Sequence, residues 1–277
     1  MIRLGEKQEL TVIKKVEFGV YLAEESTPEE KVLLPIKQVP RDAELGSKIE
    51  VFIYKDSSDR LIATTHTPKI MLGDVRVLTV KDTGKIGAFM DWGLEKDVLL
   101  PFREQTRKVS KGEEVLCALY VDKSGRLCVT MNVYPYLLNN SPYAKDDKVI
   151  GTVYEISDNF GAFVAVDDIY SGLIAKKELY GNVKIGDSVN ARVISVKDDG
   201  RLNLSLREKA YLQMDADAEK LLKMIDDNGG RLPFTDKASP ELIREKTQMS
   251  KNEFKRAVGR LLKEGHITIG KDSIDKK

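Results

Sequence analysis

The chain has 277 residues, 42% hydrophobic and 32% charged, which is enough apolar material for folded cores and excludes a disordered chain. Its formal net charge is +1, from 45 Lys+Arg against 44 Asp+Glu, so there is no globally basic coat and any polyanion must bind a local patch. There is no run near the ~20 apolar residues of a membrane helix, no secretory pattern at the start, and two cysteines make no disulfide framework; a cytoplasmic protein without membrane contact is expected.

In chain order, one pattern occurs three times. It begins with Phe18-Gly19-Val20-Tyr21-Leu22, then Ile86-Gly87-Ala88-Phe89-Met90, then Phe160-Gly161-Ala162-Phe163-Val164. An apolar pair follows each copy: Leu33-Leu34, Leu99-Leu100 and Leu173-Ile174. Next come Gly46, Gly112 and Gly186, each ahead of a strand-like run, and each copy closes on Arg60-Leu61, Arg126-Leu127 or Arg201-Leu202. Fixed order over three copies marks an internal repeat. Within the third copy, Val189, Ala191, Val193 and Val196 share one run and Leu202, Leu204 and Leu206 alternate in the next, the period of half-buried strands. Ser124-Gly125 and Asp199-Gly200 are turn dipeptides between the last two strands. The glycine of the second strand predicts a bend or bulge there. The copies therefore read as five-stranded Greek-key barrels, small enough to lean on one another. Their expected bounds are 1–66, 67–148 with a following linker, and 149–209. Tyr134, Tyr136, Leu137 and Leu138 predict that the linker packs on a domain.

The alternation stops at Met214. Ala218, Leu221, Leu222 and Ile225 lie on one helical face, which Asn228-Gly229-Gly230 ends. Ser239-Pro240-Glu241 opens a second helix. Ser250-Lys251-Asn252-Glu253 is a capping box for a third, with Met249 and Phe254 as its staple, and Phe254, Ala257, Val258, Leu261 and Leu262 predict its buried stripe. Gly259 inside that helix predicts a close neighbour, such as a second helix. Gly265 stops it, and Ile267-Thr268-Ile269 begins a short hairpin. Three helices and a hairpin over 210–277 describe a winged helix-turn-helix. The fold class is thus multidomain and mainly β: three tandem barrels and one α/β winged-helix domain.

Catalytic chemistry is not expected. His66 and His266 lie in different modules without cysteine neighbours, so no zinc site is predicted. Cys117 and Cys128 sit in predicted strands as buried thiols. No phosphate-cradling GxxxxGK[ST] loop occurs, and the pairs Asp146-Asp147, Asp167-Asp168 and Asp198-Asp199 fall in turns and linkers. No cofactor or metal follows.

The third copy, with Gly151-Thr152-Val153, Phe160 through Val164, Gly172-Leu173-Ile174 and Arg201-Leu202-Asn203-Leu204-Ser205, resembles an S1-type RNA-binding domain, an oligonucleotide-binding (OB) barrel. The second copy is a looser match and the first looser still. Three such barrels with a helical segment Phe234-Thr235-Asp236-Lys237-Ala238-Ser239-Pro240-Glu241, then Met249-Ser250-Lys251 and Phe254 through Gly259, resemble the conserved virulence factor B family of bacterial RNA-binding regulators. The resemblance implies a base-stacking platform on each second strand: Phe160 and Phe163, Phe18 and Tyr21, and in the second copy Phe89 alone, because Ile86 replaces the first ring. It also implies post-transcriptional control of bacterial genes, virulence factors included. Two further departures stand out. Pro35, Pro101 and Ala175 replace a histidine common after the apolar pair. Lys197 replaces the acidic residue kept as Asp56 and Asp122. The second barrel is accordingly expected to bind weakly or act as a spacer.

Arg60, Arg126 and Arg201 are read either as RNA contacts or as structural residues of the barrel rim. Lys251, Lys255, Arg256 and Lys263 of the third helix are read as an auxiliary phosphate-contacting face, since this is the element that enters a groove in helix-turn-helix proteins. The expected partner is single-stranded or structured RNA, bound by a monomer, and specific duplex DNA binding is not expected. The rival readings are a DNA-binding transcription regulator led by the winged helix, a protein-interaction role for the helical domain, and an accessory subunit of a nuclease or ribosome complex.

Overall fold

A computed structural model of the chain describes residues 1–179, 182–207 and 210–277. The expected boundary at 209 falls on residues 208 and 209, outside the described residues. The fold divides into two compact units, Met1–Leu206 and Arg207–Lys277.

The first unit holds three closed barrels. Barrel 1 contains β1 (Lys7–Val16), β2 (Gly19–Glu24), β3 (Thr27–Pro35), β4 (Lys48–Lys55) and β5 (Leu61–Thr64). Barrel 2 contains β6 (Val75–Gly84), β7 (Gly87–Asp91), β8 (Val98–Pro101), β9 (Glu114–Val121) and β10 (Leu127–Thr130). Barrel 3 contains β11 (Lys148–Ser157), β12 (Gly161–Val166), β13 (Tyr170–Ala175), β14 (Ser188–Val196) and β15 (Leu202–Ser205). Each closes in the order first, second, third, fifth, fourth strand. The third and fifth strands pair in parallel, through Leu33–Ile62, Leu99–Cys128 and Leu173–Asn203, and the other pairs are antiparallel. The expected bulge lies on the first strand and not on the second: register slips between Val12 and Lys14, Val80 and Asp82, and Val153 and Glu155. The second-strand glycine has a different task. Gly19, Gly87 and Gly161 start the second strand at φ +154°, +151° and +114°, and a Cβ there would stand 2.1, 2.2 and 2.1 Å from the carbonyl oxygens of Leu34, Leu100 and Ile174. Only glycine admits that close crossing. A further slip between Val193 and Ser195 brings Val196 opposite the buried Leu202, but Val196 ends β14 and is exposed, against the expectation that it shares the buried face of Val189, Ala191 and Val193.

The barrels are fused by apolar seams. Phe52 and Tyr54 of β4 pack against Trp92 of barrel 2, with ring centroids 5.8 and 6.3 Å away, and Ile70, between β5 and β6, is buried with them. Barrels 2 and 3 share a second cluster of Val75, Leu116, Ala118, Tyr154 and Ala165, closed by Val133 and Leu137 of the linker. The linker also joins barrel 3 through Leu138, whose N–H donates to the Ile169 carbonyl at 2.7 Å and whose carbonyl accepts from Ser171 at 3.0 Å.

The second unit contains α1 (Ala210–Asp227), β16 (Arg231–Leu232), α2 (Pro240–Thr247), α3 (Lys251–Lys263), β17 (Ile267–Ile269) and β18 (Ile274–Lys276). α1 starts before the expected Met214, and β16 adds an unforeseen third strand beside β18. Ser239 caps α2, its Oγ accepting from the Leu242 N–H at 3.2 Å. The capping box of α3 forms: Ser250 Oγ accepts from the Glu253 N–H at 3.3 Å, and the Glu253 carboxylate accepts from the Ser250 N–H at 2.7 Å. Met249, Phe254, Ala257, Val258 and Leu261 are buried with Ile225, Ile243 and Ile274. Leu262 departs from the expected stripe and is exposed, one position round the helix from Leu261. Gly259 is not crowded either: a Cβ there would meet nothing within 4 Å among the described residues, so these supply no close neighbour at that position.

Candidate nucleic-acid interface

The first ring position lies in the turn between the first and second strands. Phe18 and Phe160 are 57% and 62% exposed, and Ile86 holds the same place in barrel 2 at 60%. What fixes this turn is a backbone bond common to all three barrels. The carbonyls of Phe18, Ile86 and Phe160 accept from the N–H groups of Ile36, Phe102 and Lys176, at 3.0, 3.3 and 3.1 Å. These donors open the 3-10 turn after each third strand. Phe102 is therefore an exposed ring next to Ile86, on the opposite partner of the same bond. Sequence reasoning missed it because the ring moved from one loop to another; its place directly after Leu99-Leu100-Pro101 was the available signal.

The second ring position faces the strand surface. Tyr21, Phe89 and Phe163 are half-buried and pair across with Leu33, Leu99 and Leu173. Lys31 Nζ lies 5.2 Å from the Tyr21 ring centroid. Phe163 lies 6.4 Å from Phe160 and 6.2 Å from Tyr154, and packs on the seam between barrels 2 and 3. The two rings of barrel 3 thus adjoin, with one open to solvent and the other partly committed to the fold.

The three arginines each meet an aspartate. Arg60 donates through Nε and Nη2 to Asp56 at 3.0 and 2.8 Å. Asp56 also accepts from the backbone N–H groups of Ser58 and Arg60 and so holds the β4–β5 turn, as Asp122 does in barrel 2 through Ser124 and Arg126. Arg201 uses Asp199 at 2.7 Å and Tyr134 Oη at 3.3 Å, which replaces the partner lost at Lys197. Arg126 reaches out of its own barrel to Asp59 of barrel 1, and this guanidinium holds the Asp59 carboxyl below the usual aspartate range.

Beside that bridge lies a hollow of about 250 Å³ between barrels 1 and 2, lined by Tyr54, Phe89, Trp92, Lys55, Lys96 and Arg126 among others. Nothing local in the sequence announces it, because its walls come from strands of two repeats. Cys128 also lines it; burial pushes its thiol up to about 11, and Cys117, fully buried, up to about 12. Neither ionises at neutral pH.

On α3, Lys251 Nζ donates to the Ala238 carbonyl at 3.0 Å and ties the helix to the loop before α2. Lys255, Arg256 and Lys263 are exposed. Arg256 and Lys263 flank a shallow notch over Gly259, with Arg260 held by Glu264 at 2.9 Å beside it.

Sequence comparison assigns these modules. An S1 domain model matches residues 4–66 and 72–132, a model described as the second domain of the virulence regulatory factor CvfB matches 137–208, and a CvfB-like winged helix model matches 219–275. The chain is 30% identical to conserved virulence factor B of Staphylococcus aureus over 85% of its length and 82% of that protein. The chain belongs to the conserved virulence factor B family. It is also 33% identical to the uncharacterized protein YitL of Bacillus subtilis, over 96% of this chain and 91% of that one. A crystal structure of a multidomain protein with nucleic acid binding domains from Streptococcus pneumoniae shares the fold, with a TM-score of 0.50, 24% identity, and coverage of 99% of this chain and 98% of the other. The third repeat, expected to be the best S1 match of the three, is matched by the family's own second-domain model, whereas the general S1 model matches the first two repeats.

Proposed function

We propose that the chain is a non-catalytic, cytoplasmic RNA-binding protein that acts as a monomer in post-transcriptional control of bacterial genes, including those for virulence factors. The observation that carries this is the exposed ring at the matching corner of every barrel: Phe18, Phe102 and Phe160. Exposed aromatics on rigid strand ends suit stacking on unpaired bases, which is sequence-tolerant because every base has a π-face. Tyr21, Phe89 and Phe163 extend each corner into a short platform. Arg60, Arg126 and Arg201 hold the adjoining turns and turn their remaining N–H groups to phosphate. Lys251, Lys255, Arg256 and Lys263 add a backbone contact through α3. Burial keeps both thiols protonated, so neither serves as a thiolate nucleophile at neutral pH.

The test compares a fluorescent single-stranded RNA with duplex DNA of the same sequence at one salt concentration. Tighter RNA binding by the full chain supports the reading. Tighter, sequence-specific binding of the duplex overturns it in favour of a transcription regulator.

A further inference from the structure

Barrel 2 lacks the first ring on its turn, and its second-strand face does not stand open as in a lone barrel. Barrel 1 overhangs it. The end of β4 and the turn after it bring Tyr54, Lys55 and Asp59 opposite Phe89 and Trp92, and the hollow of about 250 Å³ lies between them. We propose that this hollow receives one unstacked RNA base, so that barrels 1 and 2 form a single composite binding site rather than a platform and a spacer. This rests on the RNA reading above and adds to it the place and the manner of one contact.

Three features support an enclosed base. The walls are mainly apolar and aromatic, with Phe89 half-buried and Tyr54 and Trp92 buried in an edge-to-face pair at 6.3 Å. A splayed base needs such a surface to replace its stacking neighbours. The rim keeps two cations where a phosphate would pass, Lys55 and Lys96, because Arg126 is paired with Asp59, and Asp97 with Lys81 at 2.9 Å. The walls are also set before any ligand arrives. Lys96 Nζ donates to the Asp56 carbonyl at 3.0 Å, the Trp92 indole N–H donates to the Lys96 carbonyl at 2.5 Å, and the Phe52–Trp92 contact locks the two barrels. A preformed pocket avoids the ordering cost that a hinged pair of barrels would bear.

The experiment uses the full chain and a single-stranded RNA carrying photoreactive 4-thiouridine. Crosslinked peptides are mapped, and affinity and melting temperature are measured for Ser57→Trp, Phe89→Leu and Phe160→Ala. Ser57→Trp fills the hollow from an exposed turn of barrel 1. Phe89→Leu keeps apolar bulk and removes the ring. Crosslinks at Phe89 or Trp92, with affinity lowered about tenfold by both substitutions at unchanged melting temperature, support the pocket. If the wild type binds RNA and Phe160→Ala weakens it, while Ser57→Trp and Phe89→Leu do not and crosslinks avoid residues 54–59 and 86–99, the pocket is wrong and the RNA reading stands. If the wild type does not bind single-stranded RNA, both fall.

Discussion

Phe160 and Phe163 stand three residues apart and answer to different constraints. Phe160 projects from the turn and touches little besides Phe163. Phe163 also leans on Tyr154 and the seam between barrels 2 and 3. Phe160→Ala should therefore leave the melting temperature unchanged and weaken RNA binding by the value of one stack, roughly 1–3 kcal/mol. Phe163→Ala should lower both affinity and melting temperature, since it opens a gap in a shared apolar cluster. Thermal melts beside binding titrations check the split; equal behaviour of the two variants would refute it. The repeat spacing made both positions legible from the sequence. Their difference was not, because Phe163's other neighbours come from a strand and a barrel that the motif does not contain.

At the scale of the element, α3 carries its instructions locally. The box of Ser250 and Glu253 forms as read, and the Ser250 backbone N–H holds the Glu253 carboxyl below the usual range. Ser250→Ala should destabilise the second unit by about 1 kcal/mol in denaturant unfolding. Gly259, open to solvent in mid-helix, lowers helix propensity with no packing return inside its domain. Gly259→Ala should stabilise the unit by about 1 kcal/mol. Reversing Lys255 and Arg256 to glutamate should weaken RNA binding at low salt, with a loss that shrinks as salt rises. Caps and apolar stripes are short-range signals, so α2 and α3 were readable in advance. β16 was not, because two residues, Arg231 and Leu232, show no period and owe their pairing to β18. Leu262 was misplaced because, among the described residues, its side of the helix is left exposed.

At the scale of the whole first unit, the seams decide how the barrels behave together. The bridge from Arg126 to Asp59 lowers the Asp59 pKa. A depressed carboxylate contributes stability above its unfolded pKa and loses it as pH falls through the folded one. The melting-temperature gap between wild type and Asp59→Asn should thus be present at neutral pH and close as the pH drops below about 4. Asparagine suits the test because Asp59 sits at φ +60°, which it tolerates. The larger bond between barrels 1 and 2 is apolar. Phe52, Tyr54, Ile70 and Trp92 are all buried in a cluster that is otherwise barrel 2's own core. Cut at residue 66, barrel 1 would present Phe52 and Tyr54 to water, and barrel 2 would lose the cover of Trp92. The strand alternation alone could not reveal this, since it marks one buried face per strand and β4 buries both, Val51 and Ile53 inward and Phe52 and Tyr54 outward. Trp92→Ala should cost about 3–5 kcal/mol, the usual range for emptying a large buried aromatic. Because that site belongs to two barrels at once, the wild type should unfold 1–206 in one cooperative transition, and Trp92→Ala should separate an early transition for barrel 1 from the rest. Calorimetry reads this directly: two resolved transitions within residues 1–206 of the wild type, apart from that of the second unit, would show that the seam does not couple the barrels.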